Sequence, residues 1–164
     1  MSRLDSFIRR LQAQRACLDR AAELIRELPG PILELGLGNG RTYDHLRERL
    51  PERDIYVCER QVAAHPDCIP PARFLIIGDV RETLPEARAR LGAAVALIHA
   101  DLGSGDDESN RRQAAELAPL IAGLLQPGGI VVSDQAFVTP RLRLLELPAE
   151  VKPGRYFLYR AAGS

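Results

Sequence analysis

An acid followed by alternating glycines, Glu34-Leu35-Gly36-Leu37-Gly38-Asn39-Gly40, is the segment of this chain best suited to hold a ligand. Glycine lets the backbone turn sharply and lets a bound molecule approach with no Cβ in the way. The dinucleotide pattern G-x-G-x-x-G needs glycine at position 41, where this chain has Arg41. A second acid, Glu59, follows Gly40 by 19 residues. A carboxylate there can accept hydrogen bonds from both ribose hydroxyls of a nucleoside. Asp79, Asp101 and Asp134 follow, and His99 lies two residues before Asp101, so that on a strand both face one way. A histidine inside an apolar run is also an ordinary structural side chain, so His99 carries two readings.

These residues are positioned by five short apolar runs: Ile32 to Leu35, Ile55 to Cys58, Phe74 to Ile77, Val95 to Ile98 and Ile130 to Ser133. Continuous apolarity marks strands covered on both faces. The stretches Thr42 to Leu50, Glu82 to Leu91 and Glu108 to Leu125 have helical spacing, and the alternation predicts a parallel sheet wrapped by helices. Pro119 should bend the last of these, which stops before Pro127-Gly128-Gly129. Each run meets an acid at or just past its end: Glu34, Glu59, Asp79, Asp101 and Asp134. Open α/β sheets bind ligands outside the carboxyl ends of their strands, so five acids on one rim locate a site. Acids there also cap the helices that follow, and each one admits either role.

The 164 residues fit one domain, and 22 basic against 22 acidic side chains leave no bulk positive field for nucleic acid. Cys17, Cys58 and Cys68 have no C-x-x-C spacing, so neither a disulfide framework nor a zinc site is implied. The charged start and the lack of a long apolar stretch predict a cytoplasmic protein with no membrane contact. Residues 1–28 read as an amphipathic helical segment ahead of a single α/β domain over 29–164. Leu4, Leu11, Leu18 and Ile25 form a seven-residue seam that Gln14 and Arg15 interrupt. That seam points to a homodimer, while packing on the chain's own sheet or against the pocket stays open beside it. Leu142 to Leu147 and Tyr156 to Tyr159 read as an antiparallel hairpin, although Thr139-Pro140 could instead open a short helix. Only about seven residues separate Asp134 from Leu142, too few for a parallel helical crossover of roughly a dozen.

From Ile32 to about Asp134 the sequence resembles the class I S-adenosylmethionine-dependent methyltransferases. The resemblance rests on Glu34 with Gly36, Gly38 and Gly40, on Glu59, on Gly78-Asp79-Val80, on His99-Ala100-Asp101-Leu102 and on Leu125-Gln126-Pro127-Gly128-Gly129-Ile130-Val131-Val132. It implies a Rossmann-like, doubly wound, mostly parallel sheet with S-adenosylmethionine as cofactor. By the same resemblance Glu34, the glycines and Asn39 lie against the methionine part. Glu59 binds the ribose, Gly78, Asp79 and Val80 meet the adenine, and Asp101 and Leu102 face cofactor and substrate. An acidic rim suits the cofactor's sulfonium, ammonium, ribose hydroxyls and adenine amino group, and no phosphate needs a cation.

Asp101 and Asp134 are the expected catalytic pair. With Gln135 they are similar to the acid and acid-amide set of metal-dependent O-methyltransferases, but two acids and an amide are few ligands, so no metal is expected. Asp101-Leu102-Gly103-Ser104 is unlike the Asn-Pro-Pro-Tyr type motif of nucleic-acid and protein amino-group relatives, so the expected acceptor is a small molecule. Two rivals stand beside this reading. One is a non-catalytic S-adenosylmethionine-binding module. The other is a nicotinamide-dependent oxidoreductase, which lacks its Tyr-x-x-x-Lys pair, since Lys152 is the only lysine. Gly103 to Asp107 is either a lid or a plain loop, and Arg41, Tyr43 and His45 read as exposed helix residues.

Overall fold

A computed structural model describes residues 2–163. Seven strands form one sheet in the order β3-β2-β1-β4-β5-β7-β6: β1 (Ile32–Leu35), β2 (Ile55–Glu59), β3 (Leu75–Ile77), β4 (Val95–Ala100), β5 (Leu125–Ser133), β6 (Leu142–Leu144) and β7 (Phe157–Ala161). The first five run parallel, and β7 is antiparallel to both β5 and β6. Four helices cover it: α1 (Arg3–Leu24), α2 (Arg41–Arg49), α3 (Val80–Leu91) and α4 (Asp107–Leu124). The fold is the doubly wound, mostly parallel one expected, with the C-terminal strands antiparallel. Among the described residues no helix is long and apolar enough to cross a membrane.

Alternation along the buried strands divides the core. Leu33, Leu35, Ile98 and Val131 pack with Leu84, Leu117 and Ile121 on the side of α3 and α4. Ile32, Leu97, Ile130 and Val132 pack with Cys17, Leu18, Ala21 and Leu46 on the side of α1 and α2. Glu34 shares the face of Ile32, and His99 that of Leu97, so both polar side chains point beneath α1 and α2.

Strand ends shift slightly from the apolar runs. Phe74 closes a short 3-10 turn ahead of β3, and β4 runs on to Ala100. β5 begins at Leu125, because Leu125 pairs with Val95 before the register slips and Ile130 pairs with Leu97. Pro127-Gly128-Gly129, between the expected helix and the expected strand, lies within β5 as an irregularity of the pairing. α4 continues unbroken through Pro119.

The hairpin expected at the C-terminus is present, and Thr139-Pro140 opens no helix. The short link between Asp134 and Leu142 suffices because β6 does not lie beside β5. It sits outside β7, and Leu142 is level with Ala161 rather than with the far end of β5. At ~3.3 Å per residue, the extended chain 134–141 covers that return.

The seven-residue seam of α1 divides along its length. Leu18 and Ile25 are fully buried in the chain's own core, whereas Leu4, Phe7 and Ile8 are exposed. Ser2 caps the open end: its hydroxyl accepts from the Asp5 N–H at 3.0 Å, and the Asp5 carboxylate accepts in return from the Ser2 N–H. Leu18→Ala is expected to cost about 2–5 kcal/mol in urea unfolding. A cost below about 1 kcal/mol would mean that the second half of α1 is not part of the core.

Candidate functional site

β1 and β4 are neighbours, and their parallel register sets Glu34 opposite His99. Both side chains are fully buried, and His99 Nδ1 lies 2.9 Å from Glu34 Oε1. Thr42, in the first turn of α2, donates its hydroxyl to the same carboxylate oxygen. The other oxygen, Oε2, is buried and has no hydrogen-bond partner among the described residues. Burial works against charge on His99, but Glu34, Asp101 and Asp134 together hold the imidazole above its ordinary pKa.

From His99 the polar contacts continue to α1. Gln14, buried on its inner face, places Nε2 3.5 Å from His99 Nε2 and donates to Asp101 at 3.0 Å. Arg10, one turn earlier, donates to both Asp101 oxygens at 2.8 and 2.9 Å. Burial opposes the Arg10 charge as well, yet Asp101 keeps its pKa raised. The phenol of Tyr156, buried beside this pair, is pushed up by burial and by Asp101. Arg10 and Gln14 are site residues that sequence reasoning missed. Their signal was present: a glutamine on the buried stripe of an amphipathic helix needs a polar partner beneath it.

At the next strand end, Glu59 ties the glycine loop together. Its Oε2 accepts from the Leu37 and Gly38 N–H groups at 2.7 and 3.1 Å, and its Oε1 from Gln61 N–H at 3.1 Å. Burial pushes this carboxyl up, but the surrounding backbone N–H groups outweigh it and leave it below the usual carboxylate range. Two of the loop's glycines, both at positive φ, differ in what surrounds them. Gly40 has φ +84°, and a Cβ there would lie 2.4 Å from the Cys68 Cβ. Gly38 has φ +53° and nothing within 4 Å of its Cβ position, so its face is open.

Asp79 caps α3, accepting from Arg81 N–H at 2.9 Å. Asp134 accepts from the Leu102 and Gly103 N–H groups at 3.3 and 2.9 Å, and burial, followed by the charge of Asp101, raises its pKa. The segment after Gly103 is held rather than loose. Ser104 donates through its N–H and its hydroxyl to Asn110 Oδ1 at 2.8 and 3.0 Å, and Asn110 Nδ2 donates back to Ser104 O at 2.8 Å.

Two cavities open along the rim. The larger, about 540 Å³, runs over the glycine loop between α1 and the end of β4; Gly36, Gly38, Asn39, Glu59, Asp101 and Leu102 line it. Arg10, Gln14, Phe7 and Leu11 of α1 close it, together with Arg41 and Thr42. The smaller, about 220 Å³, is lined by Gly78, Asp79, Val80 and Gln113 and shares Gly36, Glu59 and Leu102 with the first. Glu34, Gly40 and Asp134 line neither and act from behind. Arg41, expected as a plain surface residue, faces the larger cavity. Tyr43 is buried in the core, and His45 pairs with Asp19 at 2.9 Å.

The chain matches the family model described as S-adenosyl-L-methionine methyltransferase over residues 1–161. It is 50% identical to an S-adenosyl-L-methionine methyl transferase from Silicibacter pomeroyi DSS-3, with a TM-score of 0.94 and 99% of each chain covered. Human methyltransferase-like protein 13, solved with S-adenosylhomocysteine, shares the fold at 17% identity and TM-score 0.58, with 91% of this chain and 78% of that one covered. TrmN from Thermus thermophilus shares it at 18% identity and TM-score 0.57, over 86% of this chain and 48% of that one. No curated protein sequence matches. The match over nearly the whole chain removes the nicotinamide alternative. This chain belongs to the S-adenosyl-L-methionine methyltransferase family, with the class I fold and S-adenosylmethionine as its cofactor.

Proposed function

We propose that this enzyme methylates a small-molecule acceptor held between α1 and the ends of β4 and β5, with the cofactor spanning both rim cavities. The observation that carries the reading is the meeting of the two cavities at Gly36, Glu59 and Leu102. In this assignment Glu59 accepts the ribose hydroxyls, and Gly78, Asp79 and Val80 form the adenine end. Gly36, Gly38 and Asn39 lie along the methionine end, with Glu34 and Gly40 shaping the loop from behind. The open face of Gly38 and the acceptor-rich rim fit a ligand of cationic and hydroxyl groups.

S-adenosylmethionine supplies a methyl group on a sulfonium, and transfer is an in-line displacement. The protein's own task is alignment, plus removal of a proton when the attacking atom carries one. Asp101 lines the larger cavity and is the group placed to take that proton, with Arg10 and Gln14 fixing its aim. Asp134 lies behind it and supports catalysis through the Leu102 and Gly103 N–H groups, holding Leu102 where it touches both cavities. Phe7 and Leu11 give the acceptor an apolar wall, and the balanced charge of the chain favours a small molecule over nucleic acid. The three described cysteines are free, which suits a cytoplasmic protein. A homodimer belongs to the same reading, because Leu4 and Ile8 remain exposed on residues 1–28. Leu4→Glu/Ile8→Glu is expected to halve the mass seen by light scattering. A wild-type monomer, or an unchanged dimer mass, would contradict that interface.

Calorimetry with S-adenosylhomocysteine tests the cofactor assignment. Hydrogen bonds to a carboxylate contribute about 1.5–3 kcal/mol each, so Glu59→Ala should weaken binding by at least tenfold. Glu59→Gln, which keeps one acceptor oxygen, should fall between; unchanged affinity in both variants would remove Glu59 from the site.

The buried Glu34–His99 pair has its own signature. A raised folded-state pKa stabilises the protein below the ordinary imidazole value of 6.5 and loses that contribution as pH rises through the raised value. Wild-type stability in urea should therefore fall as pH rises above 6.5, and His99→Gln should lack that decline. His99→Leu leaves Glu34 buried beside an apolar group and should cost about 3–5 kcal/mol. An identical pH profile in wild type and His99→Gln would mean that the imidazole is not charged in the fold.

A further inference from the structure

A further concavity, about 740 Å³, lies against the outer face of α1 and shares no lining residue with the two rim cavities. At 3.6 residues per turn, Arg9, Ala13 and Ala16 occupy the helix face opposite Phe7, Leu11 and Gln14. The wall across from α1 is the segment before β7, which contributes Glu150, Lys152 and Arg155. Four cationic side chains, Arg9, Arg15, Lys152 and Arg155, surround a floor made by the small side chains of Ala13 and Ala16.

Among the described residues the acids of the groove do not balance Arg15, Lys152 and Arg155. Asp19 is already matched from α2, accepting from Arg49 at 2.7 Å and contacting His45 at 2.9 Å. Among the described residues of the groove, that leaves Glu150 as the one unmatched acid. Arg155 donates only to the neutral Ser6 hydroxyl at 3.1 Å, and among the described residues no ion pair engages Arg15, Lys152 or Arg155. In a chain of zero net charge, this is a local excess of positive charge inside a concave surface. Its volume exceeds that of a single small anion, and arginine forks bind phosphate oxygens in pairs.

We propose that this groove is a second binding site, for a small molecule bearing a diphosphate or triphosphate group. It is separate from the methyl-transfer site and built on the opposite face of the same helix. Guanidinium groups of Arg15 and Arg155 take the terminal oxygens, Lys152 adds a point charge, and the alanine floor lets the anion come close to the helix.

Lys152 is the only lysine in the chain, so acylation of its amine followed by mass spectrometry reads the groove directly. Inorganic pyrophosphate should protect Lys152 from acylation at matched ionic strength, where chloride does not. Calorimetry with pyrophosphate should show binding that weakens at least about tenfold in Arg15→Ala/Lys152→Ala. The same variant should bind S-adenosylhomocysteine as wild type does, which separates failure of this site from failure of the cofactor assignment. Equal protection by chloride, no measurable pyrophosphate binding, or binding undiminished in the double variant would each overturn the proposal. So would protection by a single-stranded RNA where pyrophosphate has no effect.

Discussion

Burying a carboxylate in the middle of a parallel sheet is the constraint on which the rest of this structure depends. Glu34 lies on β1 with no solvent contact, and an unpaired charge there would cost more than the domain's net stability allows. His99 meets it because the β1–β4 register sets the two opposite each other, while β2 on the other side offers only the apolar Val57. Once the imidazole is committed to Glu34, its far side needs a polar group. Only a helix lying over β4 and β5 can bring one, and α1 does so with Gln14.

α1 thereby ceases to be an appendage. Its second half is held by apolar packing of Cys17, Leu18, Ala21 and Ile25, and its middle by Gln14 and Arg10 on Asp101. The first turns leave Leu4, Phe7 and Ile8 exposed, so the helix is covered at its middle and end and open to solvent at its start. The larger rim cavity is bounded by the junction between these regimes. A ligand that engages Asp101 therefore acts on the residues that position α1, through the Arg10 ion pair and the Gln14 hydrogen bond.

Most of the sheet was legible because each strand announces itself locally. Ile32 to Leu35 and Val95 to Ile98 are continuous apolar runs, and the rim acids follow from where those runs stop. Spatial order was harder. The link from Asp134 to Leu142 is too short for a parallel helical crossover, and none is needed, because β6 lies beyond β7 at the sheet edge. No local signal states that β7, later in the chain, inserts between β5 and β6. Arg10 and Gln14 were missed for the same reason: their partners lie some ninety residues away, and a seven-residue repeat describes a helix face without saying what covers it. Asn110, which pins the segment after Gly103, is likewise an ordinary helix residue until its hydrogen bonds to Ser104 are seen.

Capping and ligand binding were set against each other for the strand-end acids, and the geometry makes that opposition unnecessary. An ionised carboxylate has about four acceptor positions, and a backbone cap uses one or two of them. Glu59 spends three hydrogen bonds on Leu37, Gly38 and Gln61, and those bonds give the glycine loop its shape. The same N–H groups hold the carboxyl ionised, so its remaining capacity faces the cavity as an acceptor already oriented. Asp79 caps α3 and lines the smaller cavity in the same way. Asp134, with both oxygens taken by Leu102, Gly103 and Gln135 and no face on either rim cavity, lies at the other limit. What separates a cap from a cap that can also bind is the acceptor capacity left over after the loop is built, together with a cavity for it to face.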